Sequence, residues 1–305
     1  MTNKMKITGL FAGALLLCGT QAQAEITYYS WTFNSPTGES STLGNTVSKT
    51  SGTAPNTVTA TAQAWSNTNN GTAGSVGVNG YNTDGTVNNT EVTAINNYTL
   101  ETAYLNVYGG GLGVKNRDAN YSSSGTKYNT SGDFLEGASP EHATDNDQRY
   151  DSVLFAFNNA IDLNSVTIGW SQTDSDISLL AYTGTGSCVG TATCTSNLSG
   201  KKYADLVNFG WSFIGHYTDL ATNVAKAVNA GNVTSSYWLI GALNPLVSTT
   251  TFTTGNDYVK ILALAGQATS VPPDQIPEPG TLLLMGAGLF GLSRFSTRRP
   301  GRCAV

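Results

Sequence analysis

Hydrophobic and polar positions alternate through most of the chain. Residues 26–33 place Ile26, Tyr28, Ser30 and Thr32 on one face and Thr27, Tyr29, Trp31 and Phe33 on the other. That period of two marks a strand with an aromatic face. Residues 57–65 alternate Thr and Gln with small apolar residues up to Trp65, and residues 152–157, 165–170 and 177–182 follow with turn signals between them. Residues 209–214, 236–242 and 257–263 close the series. Short strands at this spacing predict an all-β body, an antiparallel two-sheet sandwich or jelly roll. One segment has a different period. Residues 218–230 place Leu220, Val224, Ala227 and Val228 on one helical face, with Thr218 as N-cap, Asp219 in the first turn and Gly231 just past the end. This predicts a short helix across one end or face of the body. Residues 67–89 are rich in Asn, Gly and Thr and predict a long exposed loop or polar hairpin.

The apolar pattern changes at both ends. Lys4 and Lys6 precede an apolar run over residues 7–19, and Ala22-Gln23-Ala24 forms a small-x-small cleavage site. Residues 1–24 therefore read as a Sec signal peptide whose removal leaves Glu25 first. Cys18 raises a lipoprotein alternative, which the bulky Leu17 before it disfavours. At the other end, a Pro-rich linker over residues 266–280 carries Pro277-Glu278-Pro279 and leads into an apolar run over residues 281–292. Arg294, Arg298, Arg299 and Arg302 follow as a basic stop-transfer tail within residues 281–305. Prolines keep the linker out of helices and central strands, and the arginines stay on the cytoplasmic side. As a helix the apolar run spans roughly 18 Å, against the ~30 Å of a hydrocarbon core. It suits a transient membrane handle better than a permanent anchor. The body is left as one β-domain over residues 25–265.

Pro277-Glu278-Pro279-Gly280-Thr281, the Gly/Leu-rich run and the basic tail resemble the PEP-CTERM sorting signal of exosortase-processed bacterial surface proteins. The body resembles the exosortase-dependent surface protein family in Tyr108-Gly109-Gly110-Gly111-Leu112-Gly113-Val114, in the segment from Pro140 to Leu154, and in Ile168-Gly169-Trp170 through Gly184. Trp238-Leu239-Ile240-Gly241-Ala242 and Asp257 to Ala263 extend the likeness. The resemblance implies export through the inner membrane by the Sec translocon, cleavage by an exosortase at or next to Pro277-Glu278-Pro279, and transfer to the cell surface or extracellular matrix. It implies no biochemical activity.

Charge narrows the partners. Six of the fifteen Lys and Arg lie in the two terminal signals, so nine basic residues face twenty acidic ones in the processed body, a net charge of about −11. Bulk charge therefore excludes nucleic acid and anionic lipid as partners. Charged residues make up 11% of the chain, and Ser, Thr, Asn and Gly take their place, as in proteins that live among polysaccharides. Cys188 and Cys194, with five residues between them, are expected to form one local disulfide in an oxidising compartment. A loop that small gains roughly 2 kcal/mol. A metal site at the pair is the weaker reading, since no His stands nearby to complete it.

The segment from Glu141 to Asp151 is the best local candidate for chemistry. Asp145, Asp147 and Asp151, with Asn146, offer oxygen ligands suited to Ca²⁺, and Asp174 and Asp176 would add more if the strands bring them near. The spacing is not that of an EF-hand, since Arg149 stands where a third ligand belongs. The alternative is an Asx-rich turn entering the strand at Ser152, with Arg149 paired to a carboxylate. Hydrolase chemistry has only His142 and His216 to draw on. Gly210-Trp211-Ser212-Phe213-Ile214-Gly215 has one residue too many for a nucleophile elbow, and His216 reads as a strand-end hydrogen-bonding residue. Tyr108-Gly109-Gly110-Gly111-Leu112-Gly113 fits no phosphate fingerprint and reads as a tight turn or bulge. Trp65, Trp170, Trp211 and Trp238 lie in strand patterns, so most belong to the core, with a sugar-stacking platform as the alternative. Three functions follow in order: a non-enzymatic surface or matrix protein without a required cofactor, a polysaccharide-binding module with or without Ca²⁺, and a glycan-active enzyme built on two carboxylates.

Overall fold

A computed structural model of the chain describes residues 25–69, 98–116, 142–147, 149–184, 198–253 and 255–270. The chain divides into Ile26–Ala268 and a second unit made of Met1–Glu25 with Thr269–Val305. Only residues 25, 269 and 270 of the second unit are described, so the fold below is that of the first. Both expected membrane-entry segments, the cleavage residues Ala22 and Ala24, the Pro277-Glu278-Pro279 motif, the four tail arginines and the Cys188/Cys194 pair lie outside the described residues. Among the described residues no helix is long and apolar enough to cross a membrane.

The body is all-β and antiparallel, as the alternation predicts. Its strands are β1 (Glu25–Thr32), β2 (Thr46–Thr53), β3 (Asn56–Asn69), β4 (Thr99–Thr102), β5 (Tyr104–Tyr108), β6 (Gly111–Lys115) and β7 (Thr144–Asp145). They continue with β8 (Asp151–Thr173), β9 (Ile177–Tyr182), β10 (Trp211–Tyr217), β11 (Lys226–Ala227), β12 (Thr234–Ala242) and β13 (Asp257–Ser270). A 3₁₀ helix, Tyr203–Phe209, precedes β10. The strands do not form two separate sheets. They hydrogen-bond as one continuous sheet in the order β10-β9-β12-β8-β13-β6-β5, with β3 and β11 on β8, β2 and β4 on β3, and β1 and β7 on β13.

The 23-residue β8 is what joins the halves. Its first part, Asp151 to Phe157, lies between β3 and β12, and its second part, Asp162 to Thr173, pairs with β13. Between them the partner register jumps from Tyr237↔Ala156 to Ser235↔Ile161, leaving the exposed Asn158, Asn159 and Ala160 without partners on β12. A bulge of this size bends a strand, and a bent strand lets one sheet turn a corner and cover its own apolar face. The sequence pattern of two strands with a polar gap is therefore one strand with a corner.

Side chains from both parts of β8 meet in one core with Tyr29 and Trp31 of β1, Phe33 just past it, the small apolar face of β3, and residues of β5, β6, β9, β12 and β13. Trp31 sits edge-on to Phe157 at 4.9 Å and donates its indole N–H to the Val58 carbonyl at 2.9 Å. A second apolar cluster lies on the opposite face of β8, where Leu198, Tyr203 and Leu206 cover Trp65, Leu154, Leu180 and Leu239. Tyr203 anchors this cover, since its hydroxyl donates to the Tyr150 carbonyl at 2.9 Å and lies 2.7 Å from the Ser152 hydroxyl.

The helix expected over residues 218–230 does not form. Asp219, Asn223 and Asn229 have φ of 54°, 60° and 56°, which breaks any helical run. The backbone binds the edge of β8 instead: Asn223 N–H donates to the Ile168 carbonyl, Val228 N–H to the Asn164 carbonyl, and Lys226–Ala227 pairs as β11. Leu220 and Val228 are buried, but Val224 is 57% exposed, so the helical face was a coincidence of spacing. The expected strand at 209–214 starts at Trp211, because Phe209 closes the 3₁₀ helix and Gly210 caps it in the left-handed region. Of the expected polar loop, residues 67–69 belong to β3, with Asn67 and Thr68 buried, and the rest lies outside the described residues. The glycine run is a two-residue turn, as expected, joining β5 and β6 with Tyr108 opposite Gly111.

Candidate functional site

β7 carries the acidic segment into the sheet edge. Asp145 is buried and its Oδ1 accepts the Asp147 N–H at 3.1 Å, an Asx turn. Asp147 Oδ2 accepts the Tyr258 hydroxyl at 2.8 Å, and burial raises its carboxyl above the usual range while that bond opposes the rise. Asp151 is buried at the head of β8, where its Oδ1 accepts the Asn116 amide at 3.4 Å. Arg149 is fully buried with its guanidinium over the Tyr98 ring, 4.9 Å from the centroid. These carboxylates thus have partners within the protein at separate places.

The residue that gathers the loops is one the sequence pattern passed over. Asp257, at the start of β13, is fully buried. Its Oδ2 accepts the Asn146 side-chain amide at 2.6 Å, and its Oδ1 accepts the Asp176 N–H at 2.8 Å. Asn146 in turn accepts the Asp257 N–H at 2.9 Å and donates to the Leu243 carbonyl at 2.8 Å. The 144–147 segment therefore does converge on the Asp174–Asp176 turn, with Asp257 as the bridge. Burial pushes the Asp257 carboxyl up to about 7; the Asp176 and Asp174 charges add to that push, and its two hydrogen bonds oppose it. An acidic residue opening a mostly apolar strand was the available signal.

The carboxylates that come together lie one turn further on. Asp174, Asp176 and Asp219 bring one oxygen each within 4.8 Å of one another. Asp176 is buried, Asp174 half-buried and Asp219 exposed, so the group opens outward. The Asp219 N–H donates to Asp176 Oδ1 at 2.8 Å, and the Ser175 N–H to Asp174 Oδ1 at 2.8 Å. Burial raises the Asp176 carboxyl, helped by the Asp174 and Asp219 charges and opposed by the Asp219 N–H and by Lys226. Three hard oxygen donors suit a cation such as Ca²⁺, which takes six to eight and fills the remainder from carbonyls and water.

His216 bridges two segments. Its Nε2–H donates to the Ser248 carbonyl at 3.1 Å, which leaves Nδ1 to accept the Ser178 hydroxyl at 2.9 Å. Ser178 Oγ also accepts the Asn244 N–H at 2.7 Å. Burial lowers the imidazole pKa, and both ring nitrogens are used as in a neutral ring. Ser212 bonds Thr183 at 2.5 Å and does not meet His216. His142 Nε2 lies 3.5 Å from Glu39 Oε1, and its ring stacks on Tyr108. Trp31, Trp65, Trp211 and Trp238 are all core, whereas Trp170 is half-buried on the outer face with the Lys260 ammonium 4.6 Å from its ring centroid.

Residues 275–299 match the PEP-CTERM protein-sorting motif, so the chain carries this signal at its C-terminal end. Neither a curated protein nor a solved structure matches the chain.

Proposed function

We propose that this chain is a non-catalytic exported protein of the cell surface or extracellular matrix. The N-terminal signal delivers it to the Sec translocon, the run over residues 281–292 holds it briefly in the inner membrane, and an exosortase processes it at Pro277-Glu278-Pro279. The match of residues 275–299 to the sorting motif carries this reading. Catalysis is left out because Asp257, whose carboxyl burial pushes up to about 7, is fully buried and bonded on both oxygens, which suits a structural bridge.

Replacing Pro277 and Glu278 with Ala tests the route. Export proceeds, since both membrane-entry segments remain, but the C-terminal fragment stays on the protein, as read by its intact mass. Loss of that fragment at the wild-type rate overturns the reading.

A second reading is favoured by an outer-face aromatic. The body binds an extracellular polysaccharide through Trp170, because an amphipathic ring offers an apolar face to sugar C–H groups while polar neighbours take the hydroxyls. If the binding depends on Ca²⁺, Asp174, Asp176 and Asp219 are the residues to hold the ion.

A further inference from the structure

Lys260, on the outward side of β13, lies between two aromatic rings. Its ammonium is 4.3 Å from the centroid of Tyr108 and 4.6 Å from that of Trp170. Among the described residues it has no hydrogen-bond acceptor and no carboxylate partner; the rings are its contacts. A half-buried ammonium normally finds an anion or a carbonyl, because ring faces replace only part of its lost hydration. Here the remaining N–H donors have nothing in the described protein to meet.

The arrangement is built by two backbone features. Lys260 pairs with Trp170, but its neighbour Ile261 pairs with Ile168, so Gly169 is an extra residue in β8. Without that bulge Trp170 would share the core-facing side of Ile168; with it the indole is turned outward beside Lys260. The β5–β6 turn then packs onto the bulge so closely that a Cβ on Gly169 would lie 2.4 Å from the Gly110 carbonyl oxygen. That contact carries Tyr108 to the other side of the ammonium. Tyr108 is itself stacked on His142, with ring centroids 5.7 Å apart and planes at 21°. The row ends at Glu39, which also lines a cleft of about 290 Å³ with Tyr104 and Lys115.

We infer that Trp170, Lys260 and Tyr108 form a subsite for a carboxylated sugar, a uronate unit of an extracellular polysaccharide. The sugar stacks on the half-buried Trp170 ring and its carboxylate takes the remaining donors of the ammonium, which Tyr108 backs from its other side. This rests on the polysaccharide-binding reading and sharpens it to one charge class. The net negative charge of the body does not oppose it at contact range, because repulsion from distant carboxylates is screened beyond about 8 Å at physiological ionic strength. Desolvation at Lys260 lowers its pKa and strengthens any anion contact it makes.

Affinity electrophoresis and calorimetry of the full chain against polygalacturonate and against dextran, a neutral glucan, test the assignment. The wild type binds polygalacturonate in preference to dextran. Lys260→Gln loses about 10- to 100-fold, as expected when a charged hydrogen bond is removed. Lys260→Arg restores part of the loss, Trp170→Ala abolishes binding, and Lys260→Gln keeps the wild-type melting temperature, which separates the effect from misfolding. Equal binding of the two polymers, or an unchanged affinity in Lys260→Gln, overturns the uronate subsite while leaving polysaccharide binding in place. Failure of the wild type to bind either polymer overturns both.

Discussion

Asn146 and Asp257 bond each other in both directions across 111 positions of sequence: the Asn146 amide donates to Asp257 Oδ2 at 2.6 Å, and the Asp257 N–H donates to Asn146 Oδ1 at 2.9 Å. Both residues are buried, so neither can exchange its partner for water. Asn146→Ala leaves a buried carboxyl oxygen and a buried N–H unpaired and is expected to cost about 2–4 kcal/mol. For a domain of this size that lowers Tm by roughly 5–15 °C. Urea unfolding at neutral pH measures it, and a loss under about 1 kcal/mol contradicts the bridge.

The same pair sets a pH dependence of unusual sign. The folded-state pKa of Asp257, about 7, lies above that of an unfolded aspartate, so the folded state binds the extra proton between them. Its contribution is full below pH ~4 and is lost as pH rises through ~7. Asp147 and Asp176 shift in the same direction, also through burial. His216 opposes them: its depressed pKa means that stability falls as pH drops through its unfolded value near 6.5. Comparing the wild type with Asp257→Asn separates the two. The wild type loses stability relative to the variant as pH rises from 5 to 8, and parallel pH curves for the two proteins contradict the raised carboxyl.

The fold was legible where one face is apolar and the period is regular. Tyr29, Trp31 and Phe33 alternate against exposed neighbours, and the structure buries just that face. It was illegible where a backbone irregularity decides. Nothing in Asn158-Asn159-Ala160 distinguishes a turn from a bulge inside one long strand, because both want small polar residues. Residues 218–230 matched a helix by spacing, but Asp219, Asn223 and Asn229 take left-handed backbone and β8 offers its edge carbonyls. Trp170 has the parity of a core residue until the register shift at Gly169 is known. For the acidic segment, sequence proximity suggested Asp145, Asp147 and Asp151, whereas convergence falls to Asp174, Asp176 and Asp219, whose nearness depends on a turn beside β9.

Gly169 gives a direct test of the bulge. An added methyl would meet the Gly110 oxygen at 2.4 Å and Gly110 C at 3.0 Å, both backbone atoms that cannot rotate away. Gly169→Ala must therefore lift the β5–β6 turn or shift β8, at about 1–3 kcal/mol. Because the turn carries Tyr108, the variant also separates that ring from Lys260. A crystal structure of Gly169→Ala with Tyr108 and Lys260 in place, or a variant as stable as the wild type, contradicts the close packing.

Asp219→Asn distinguishes a cation site from an acidic turn. Asp219 holds φ at 54°, a conformation Asn accepts as readily as Asp, and its N–H can still donate to Asp176. In chelator the substitution removes one of three mutually repelling carboxylates. The gain is small because Asp219 is exposed, about 0.3–1 kcal/mol, or 1–3 °C in Tm. Ca²⁺ reverses the order if the cluster holds it. An ion bound only to the folded state at a site of ~10 µM affinity adds about 2.7 kcal/mol at millimolar Ca²⁺, roughly 5–10 °C. The wild type then melts above the variant, whose site has lost a charged ligand. Asp147→Asn, bonded to Tyr258 and outside the cluster, leaves the Ca²⁺ shift intact. Identical wild-type melting curves in Ca²⁺ and in chelator exclude the ion, and an Asp219→Asn variant less stable than wild type in chelator excludes the repulsion.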